Sequence, residues 1–188
     1  MTTLESTEIE QALQYFEETR NRIIAVTSGL SDPQWNFKPA PGRWSIADNL
    51  EHMVIVQERV FGPIRERLAA APAPEAGRDN QLIEKLIFEK FPDRSTLANA
   101  PEWTMPTGQW PPRVALDRWL RNYERLVEFV ESNPELRDHV LESPPLKLIS
   151  NGALHTMDGY QWAITVSAHD RRHVAQILEV QADPGYPA

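Results

Sequence analysis

The sequence predicts an all-α protein, most simply a four-helix bundle, because four stretches repeat apolar residues at helical spacing. No stretch shows the alternation of apolar and polar residues that is typical of a strand. With 188 residues and an apolar fraction of 41%, the chain is long enough for one domain with a sizeable core. We therefore expect residues 1–188 to form a single four-helix bundle domain.

The first two helices are predicted from their apolar stripes and end signals. The first spans about residues 5–29, where a glycine provides a stop. The second follows the sequence PGRWSIAD, in which Ser45 is the N-cap and Asp48, three residues later, completes a capping box. We expect the pair Gly62-Pro63 to kink this helix or end it early, because proline lacks a backbone donor.

The third and fourth helices are predicted in the second half of the chain. The third spans about residues 115–132. The fourth begins after Asp158, which can cap it with Gln161 three residues on, and it continues to about Gln181, before a proline and a glycine. Helices of this length are sufficient for a bundle.

A connection of about forty residues separates the second helix from the third. The stretch NQLIEKLIFEKF can form a short helix, and the remainder has the composition of irregular chain. A connection this long is uncommon in a compact domain and is either functional or a crossover between distant ends. Trp103 and Trp110 predict either a segment that packs down as a lid or a plain crossover anchored by two tryptophans.

Charge and composition exclude several classes of function. The formal net charge is −8 and no run of basic residues exceeds the pair Arg171-Arg172, which argues against nucleic acid and anionic membranes as partners. The acidic start MTTLESTEIE is unlike a secretory signal, and no apolar run is long enough to span a membrane, so we expect a cytoplasmic location. The absence of cysteine excludes disulfides, cysteine-ligated zinc and a cysteine nucleophile. Any thiol chemistry must therefore use a thiol from a substrate.

The pair His169 and His173, in SAHDRRHVAQI, is the most informative feature of the last helix. Both histidines fall within its apolar stripe, and a spacing of four residues places their rings about 6 Å apart along the axis. Two neighbouring buried imidazoles repel each other if protonated and need hydrogen-bond partners if neutral. A metal ion satisfies both requirements, but so does a pair of core histidines bonded to neighbouring helices. Spacing alone leaves both interpretations open.

A third ligand has to come from another helix, and His52 is the candidate, although its angular position is at the rim of the second helix's stripe. Asp48, one turn earlier, can support a ligand or act as a general base, while its simpler role is the helix cap. Further acidic candidates are expected mainly as surface charges: Glu51, Glu58 and Asp170. Four other residues are assigned surface, loop or flanking roles: His139, His155, Arg172 and Gln176. Of these, His155 can reach the site if the loop before the last helix folds over the end of the bundle.

The sequences PGRWSIADNLEHMVIVQERV and GYQWAITVSAHDRRHVAQILEV closely resemble the DinB-like superfamily of small bacterial four-helix bundles. The resemblance covers nearly the whole chain apart from residues 72–112. It implies that His52, His169 and His173 bind a divalent metal, since the family carries one histidine on the second helix and His-x-x-x-His on the last. By analogy with the family, the resemblance also implies that two copies of this chain can form a homodimer.

Three histidine ligands leave open coordination positions, as in catalytic sites. Zinc and nickel suit imidazole best, and iron or manganese fit the same ligand set. Relatives in the family include bacillithiol transferases, mycothiol-dependent isomerases and metal-dependent hydrolases. We therefore expect a metal-dependent enzyme that attaches a low-molecular-weight thiol to an electrophilic small molecule. Two alternatives stay open: a metal-dependent hydrolase, with Asp48 or a nearby carboxylate as base, and a bundle in which the metal is only structural.

Overall fold

The computed structural model describes residues 3–95 and 99–188. Its helices and strands follow in chain order: α1 (Ser6–Thr27), α2 (Asp32–Asn36), α3 (Ile46–Val56), a π-helical turn (Gln57–Phe61), α4 (Gly62–Leu68), α5 (Asn80–Lys90), a 3₁₀ turn (Glu102–Thr104), α6 (Pro112–Glu131), β1 (Val140–Glu142), α7 (Pro144–Ile149), β2 (Thr156–Asp158) and α8 (Gly159–Gln181).

Four long elements form the predicted bundle: α1, α3 with its continuation through the π-helical turn into α4, α6 and α8. Helix α1 packs against α8 and α6, and α3 packs against the same two helices. The four-helix prediction is therefore confirmed, and the predicted caps are present. Ser45 and Asp48 form a capping box at the start of α3, and Asp158 and Gln161 form one at the start of α8.

The sequence predicts a kink or an early end at Gly62-Pro63; the helix does not end there but continues through this pair into α4. It widens into the π-helical turn, in which the backbone N–H of Gly62 donates to the carbonyl of Gln57. Pro63, which has no backbone N–H, then lies in the first turn of α4, immediately after the π-helical turn. The helix therefore accommodates its proline by changing the hydrogen-bond spacing just before it.

A two-stranded antiparallel hairpin adds to the helices. Strands β1 and β2 pair Val140 with Asp158, and Leu141 with Met157. Each strand has three residues, too few for an alternating pattern to be visible in the sequence. The hairpin leads directly into α8, whose first residue, Gly159, donates its N–H to the carbonyl of Leu136 at 2.7 Å.

The described parts of the crossover, residues 69–95 and 99–111, connect α4 to α6. Its predicted short helix is α5, which packs against α8 and α7. Trp110 packs against the core cluster that contains Trp119 and Val174. The side chain of Trp103 is 53% exposed, so only one of the two tryptophans anchors the crossover.

The core forms two clusters along the bundle. One is built around Phe16, Leu126 and Met157, and the other around Ile23, Leu50 and Ile177. Within the described ranges, no helix combines the length and the apolar character that a membrane crossing needs.

Candidate metal centre

The three histidines predicted as ligands lie together between α3 and α8. His52 comes from α3, and His169 and His173 come from consecutive turns of α8. One ring nitrogen from each residue lies within 4.8 Å of those from the other two. The Nε2 atoms of His169 and His173 are 3.2 Å apart. His52 is 4% exposed, so it is buried rather than at the rim.

Asn49 holds the ring of His173. The Nδ1 atom of His173 lies 2.9 Å from Oδ1 of Asn49, while the Asn49 amide donates to the carbonyl of Ser45 at 2.8 Å. That second bond fixes the amide so that its oxygen faces the imidazole, and His173 therefore donates from Nδ1. The lone pair of Nε2 remains available, as a metal ligand requires.

The crossover holds the ring of His52 in the same way. Its Nδ1 lies 2.8 Å from the carbonyl oxygen of Thr104, which can only accept, so His52 donates from Nδ1 and keeps a lone pair on Nε2. The segment that carries Thr104 is attached to α3 and the π-helical turn at two more points. Arg59 donates to the carbonyl of Trp103, and Glu51 accepts backbone N–H groups from residues 107–109.

Asp170 lies behind His169, a position that no local sequence pattern predicts. Its carboxylate is 2% exposed, and Oδ2 accepts hydrogen bonds from Gln57 at 2.7 Å and from the Trp119 indole at 3.0 Å. Its Oδ1 lies 3.7 Å from Nδ1 of His169, and these two buried atoms have no other partner among the described residues. A carboxylate beside the outer nitrogen of a ligating histidine orients the ring and raises its basicity.

Glu51 is buried and not on the surface, where the sequence predicted it. The sequence predicts a surface charge there, as it does at Asp170, but Glu51 is 3% exposed. Both predictions are wrong because each carboxylate has buried hydrogen-bond donors that angular position on one helix does not reveal. Glu58 is half-buried and pairs with Arg118 at 2.7 Å.

Asp48 has the cap role that the sequence favoured. It accepts the N–H of Ser45 and forms an ion pair with Lys38 at 2.7 Å. Burial acts to raise the pKa of Asp48, but the bonds from Lys38 and Ser45 outweigh burial and lower it. Its role as a general base stays a prediction.

The remaining candidates lie outside the histidine cluster. His139 contacts the carbonyl of Ala71, and His155 is exposed near Glu142. Gln176 accepts a hydrogen bond from Arg94, and Arg172 donates to the carbonyl of Asp93. Trp44 was not predicted as a neighbour of the site. Its ring centre lies 4.8 Å from that of His52 and 5.9 Å from that of His173, on which it stacks.

The environment keeps the three imidazoles neutral. Burial lowers the pKa of His52 to about 4, with a contribution from His169, and burial lowers the pKa of His169 to about 4 as well. The pKa of His173 is held well below its ordinary value, first by burial and then by the neighbouring His169. Neutral imidazole is the form that binds a metal.

Comparison with known proteins identifies the family. The sequence profile of the DinB superfamily matches residues 15–177. The chain belongs to the DinB superfamily. The predicted membership is thereby confirmed, and the match spans all three histidines and the helices that carry them.

Two similar proteins, both from Bacillus subtilis, extend the comparison. Uncharacterized protein YuaE of strain 168 is 25% identical over 170 residues, which is 90% of this DinB-superfamily chain and 96% of YuaE. The structure of YfiT, described as a probable metal-dependent hydrolase with an unusual four-helix bundle topology, superimposes with a TM-score of 0.62. The match covers 100% of this chain and 93% of YfiT at 13% sequence identity, a likeness of fold.

The geometry of this DinB-superfamily protein is thus compatible with metal binding. Three neutral imidazoles converge, and each has a hydrogen-bond acceptor at or near its outer nitrogen: Thr104, Asn49 and Asp170. Three protein ligands leave coordination positions for a small molecule.

Proposed function

We propose that the protein binds a divalent metal ion through His52, His169 and His173 and is a metal-dependent enzyme acting on small molecules. The observation that carries this proposal is the convergence of three ring nitrogens within 4.8 Å. A bound divalent ion supplies Lewis acidity, which lowers the pKa of a thiol or water ligand and stabilises developing negative charge. Zinc and nickel are the ions that this all-imidazole set favours.

The residues of the chain hold and orient the site. Asn49 and the carbonyl of Thr104 keep the ligating nitrogens of His173 and His52 unprotonated. Asp170 faces the outer nitrogen of His169. Burial of these groups excludes water from the rear of the site and strengthens their electrostatic interactions.

The specific reaction we propose is transfer of a low-molecular-weight thiol to an electrophilic carbon. A carbon–sulfur bond forms, the leaving group departs with its electron pair, and the thiol proton passes to solvent. Two observations support this choice over water as nucleophile. The chain has no cysteine, and the carboxylates nearest to His52 in sequence have structural partners: Asp48 has Lys38, and Glu51 has the crossover. A thiol ionises more readily than water and depends less on a base.

Hydrolysis is the second candidate, because the fold neighbour YfiT is described as a probable metal-dependent hydrolase. In that case a water molecule would take the place of the thiol. A purely structural metal is the non-enzymatic alternative.

The test begins with elemental analysis of protein purified without an affinity tag or chelator. The metal-loaded protein is then assayed with a chlorodinitrobenzene electrophile and several thiols, and separately with an activated ester and no thiol. Thiol-dependent, chelator-sensitive turnover that is lost in His169→Ala supports the transferase. Ester hydrolysis without a thiol supports the hydrolase, and one equivalent of metal with neither activity supports the structural role. Absence of metal binding refutes the proposal altogether.

A further inference from the structure

A cavity lies beside the π-helical turn, and none of the described residues that line it is a histidine. We call it the π-turn cavity. It has a volume of about 330 Å³, within the range of small-molecule sites. Its lining includes Val166 of α8, and its polar groups come from the π-helical turn, α4 and α6: Gln57, Glu58, Arg65, Arg118, Asn122 and Arg125.

Positive charge dominates this lining. Three guanidinium groups face one carboxylate, although the chain as a whole carries a net charge of −8. Glu58 pairs with Arg118 at 2.7 Å, and that guanidinium also lies 4.4 Å from the ring centre of Trp110. Within residues 3–95 and 99–188, Arg65 and Arg125 form no ion pair with a carboxylate. The cavity therefore keeps an excess of two positive charges.

The two unpaired arginines are also positioned by neighbouring side chains. The guanidinium of Arg65 lies 5.1 Å from the ring centre of Phe129, and Nη1 of Arg125 lies 3.5 Å from Oδ1 of Asn122. Both arginines are exposed residues, so their charge is accessible at the mouth of the cavity. Arginine presents a planar fork of donors that matches carboxylate and phosphate groups.

Two buried polar atoms of the lining residues have no hydrogen-bond partner among the described residues: Oε1 of Gln57 and Nε of Arg118. Gln57 is 6% exposed, and its amide nitrogen is already bound to Asp170. Because both atoms are enclosed by the protein, the cavity offers a ligand mainly the charge of Arg65 and Arg125.

We propose that the π-turn cavity is a binding site for a small dianionic molecule that carries carboxylate or phosphate groups. Arg65 and Arg125 bind the anionic groups at the mouth, and Arg118 binds the ligand deeper in the cavity. This site is separate from the histidine centre and does not depend on the proposed function. It is connected to that centre through the hydrogen bond from Gln57 to Asp170.

The test is calorimetric titration of the full-length, metal-loaded protein at constant ionic strength, with inorganic phosphate in one series and succinate in another. We expect saturable binding in at least one series, and the preferred probe distinguishes a phosphate from a dicarboxylate ligand. Arg65→Ala and Arg125→Ala should each weaken binding about tenfold, as expected for loss of one charge-assisted contact. Arg67→Ala and Arg121→Ala are the matched controls, since both are exposed arginines on the same two helices that do not line the cavity, and they should bind like the parent.

A repeat of the titration after chelation separates the two sites. Binding in the π-turn cavity should persist without metal, whereas an anion held at the histidine centre should be lost. Three results would overturn the proposal: no saturable binding of either probe, equal weakening in the control variants, or binding that disappears on chelation.

Discussion

Asp170 shows how much a single residue contributes to the histidine centre. It occupies a fully enclosed position between Gln57, Trp119 and His169. Burial raises the pKa of this carboxyl group well above its ordinary value, and hydrogen bonds from Trp119 and Gln57 oppose that effect. An acid buried this deeply is costly unless it has partners, so its position directly after a ligand has a functional reason.

Replacing this carboxylate should weaken metal binding without unfolding the protein. In Asp170→Asn the shape and the acceptor for Trp119 and Gln57 are preserved, but the carboxyl oxygen beside Nδ1 of His169 is replaced by an amide N–H donor. We expect metal affinity to fall about 10- to 100-fold, as for other residues that support a ligand from behind. The measurement is a competition titration with a chromophoric chelator.

Asp117→Asn is the control, because Asp117 is exposed on α6. Its metal affinity should equal that of the parent. Equal metal affinities in Asp170→Asn and the parent would show that the carboxylate contributes to packing but not to metal binding.

At the level of elements, the attachment of the crossover to α3 supports His52. The Glu51 carboxylate accepts the N–H groups of Thr107 and Gln109 through Oε1 and that of Gly108 through Oε2. These bonds keep the neighbouring Thr104 carbonyl against His52.

Glu51→Ala should therefore both release residues 101–109 from α3 and weaken metal binding. It leaves three backbone donors without their acceptor, and each such loss costs about 1–3 kcal/mol if water cannot replace it. We expect faster amide hydrogen exchange in residues 101–109 and a lower metal affinity. Glu102→Ala removes an exposed glutamate from the same segment and should change neither quantity. Unchanged exchange in Glu51→Ala would contradict the proposed attachment.

The start of α8 depends on a glycine for a different reason. A Cβ atom on Gly159 would lie 2.7 Å from Cδ2 of Leu136 and 3.0 Å from its carbonyl oxygen. Gly159→Ala should lower the free energy of unfolding by about 1–3 kcal/mol, as overpacking does elsewhere.

Gly62→Ala is the opposite case. A Cβ atom at this position would have no atom from another described segment within 4 Å, and the backbone is helical, with φ −52° and ψ −55°. We expect a change of less than about 0.5 kcal/mol, because the lower entropy of the unfolded chain is offset by the clash of a Cβ atom in a helical residue with the ring of the following Pro63. Urea unfolding of both variants measures the two effects, and equal effects would refute the packing argument.

The sequence predicted these elements unevenly, and the reasons are physical. Long helices with apolar stripes and capping boxes, such as those that begin after Ser45 and Asp158, are encoded locally. The three-residue strands and the π-helical turn depend on tertiary contacts, so no local pattern marks them. The His-x-x-x-His pair is visible because its ligand spacing is local. The partners of the histidines are not, because Asn49, Thr104 and Asp170 acquire their roles only when helices and crossover meet.

At the scale of the whole molecule, three neutral imidazoles, two buried and that of His169 partly buried, make stability depend on pH. The pKa of His52 and of His169 is about 4 in the folded protein, against an ordinary value of 6.5. Between these values the unfolded chain binds more protons, so protonation favours unfolding.

The chelated protein should therefore lose stability as the pH falls from about 6.5 to about 4, by up to about 1.4 kcal/mol per pH unit for each histidine. Denaturant unfolding at a series of pH values in the presence of chelator measures the slope. His169→Gln should reduce this slope, whereas His155→Gln, which alters an exposed histidine, should not. Identical slopes in the parent and both variants would assign the pH dependence to carboxyl groups alone.

The crossover contacts α3 and the π-helical turn largely through its own main chain. Thr104 and Trp103 contribute carbonyl oxygens, and residues 107–109 contribute N–H groups. Almost any amino acid can supply these atoms, provided the backbone keeps its path. A residue that contributes only main-chain atoms can therefore change its side chain while the metal ligand stays aligned. Trp110, which packs against the core, and Gly108, whose φ is 73°, are exceptions. An inserted or deleted residue between 103 and 109 would shift these main-chain atoms and so disturb the centre, whereas a substitution at an exposed position there would not.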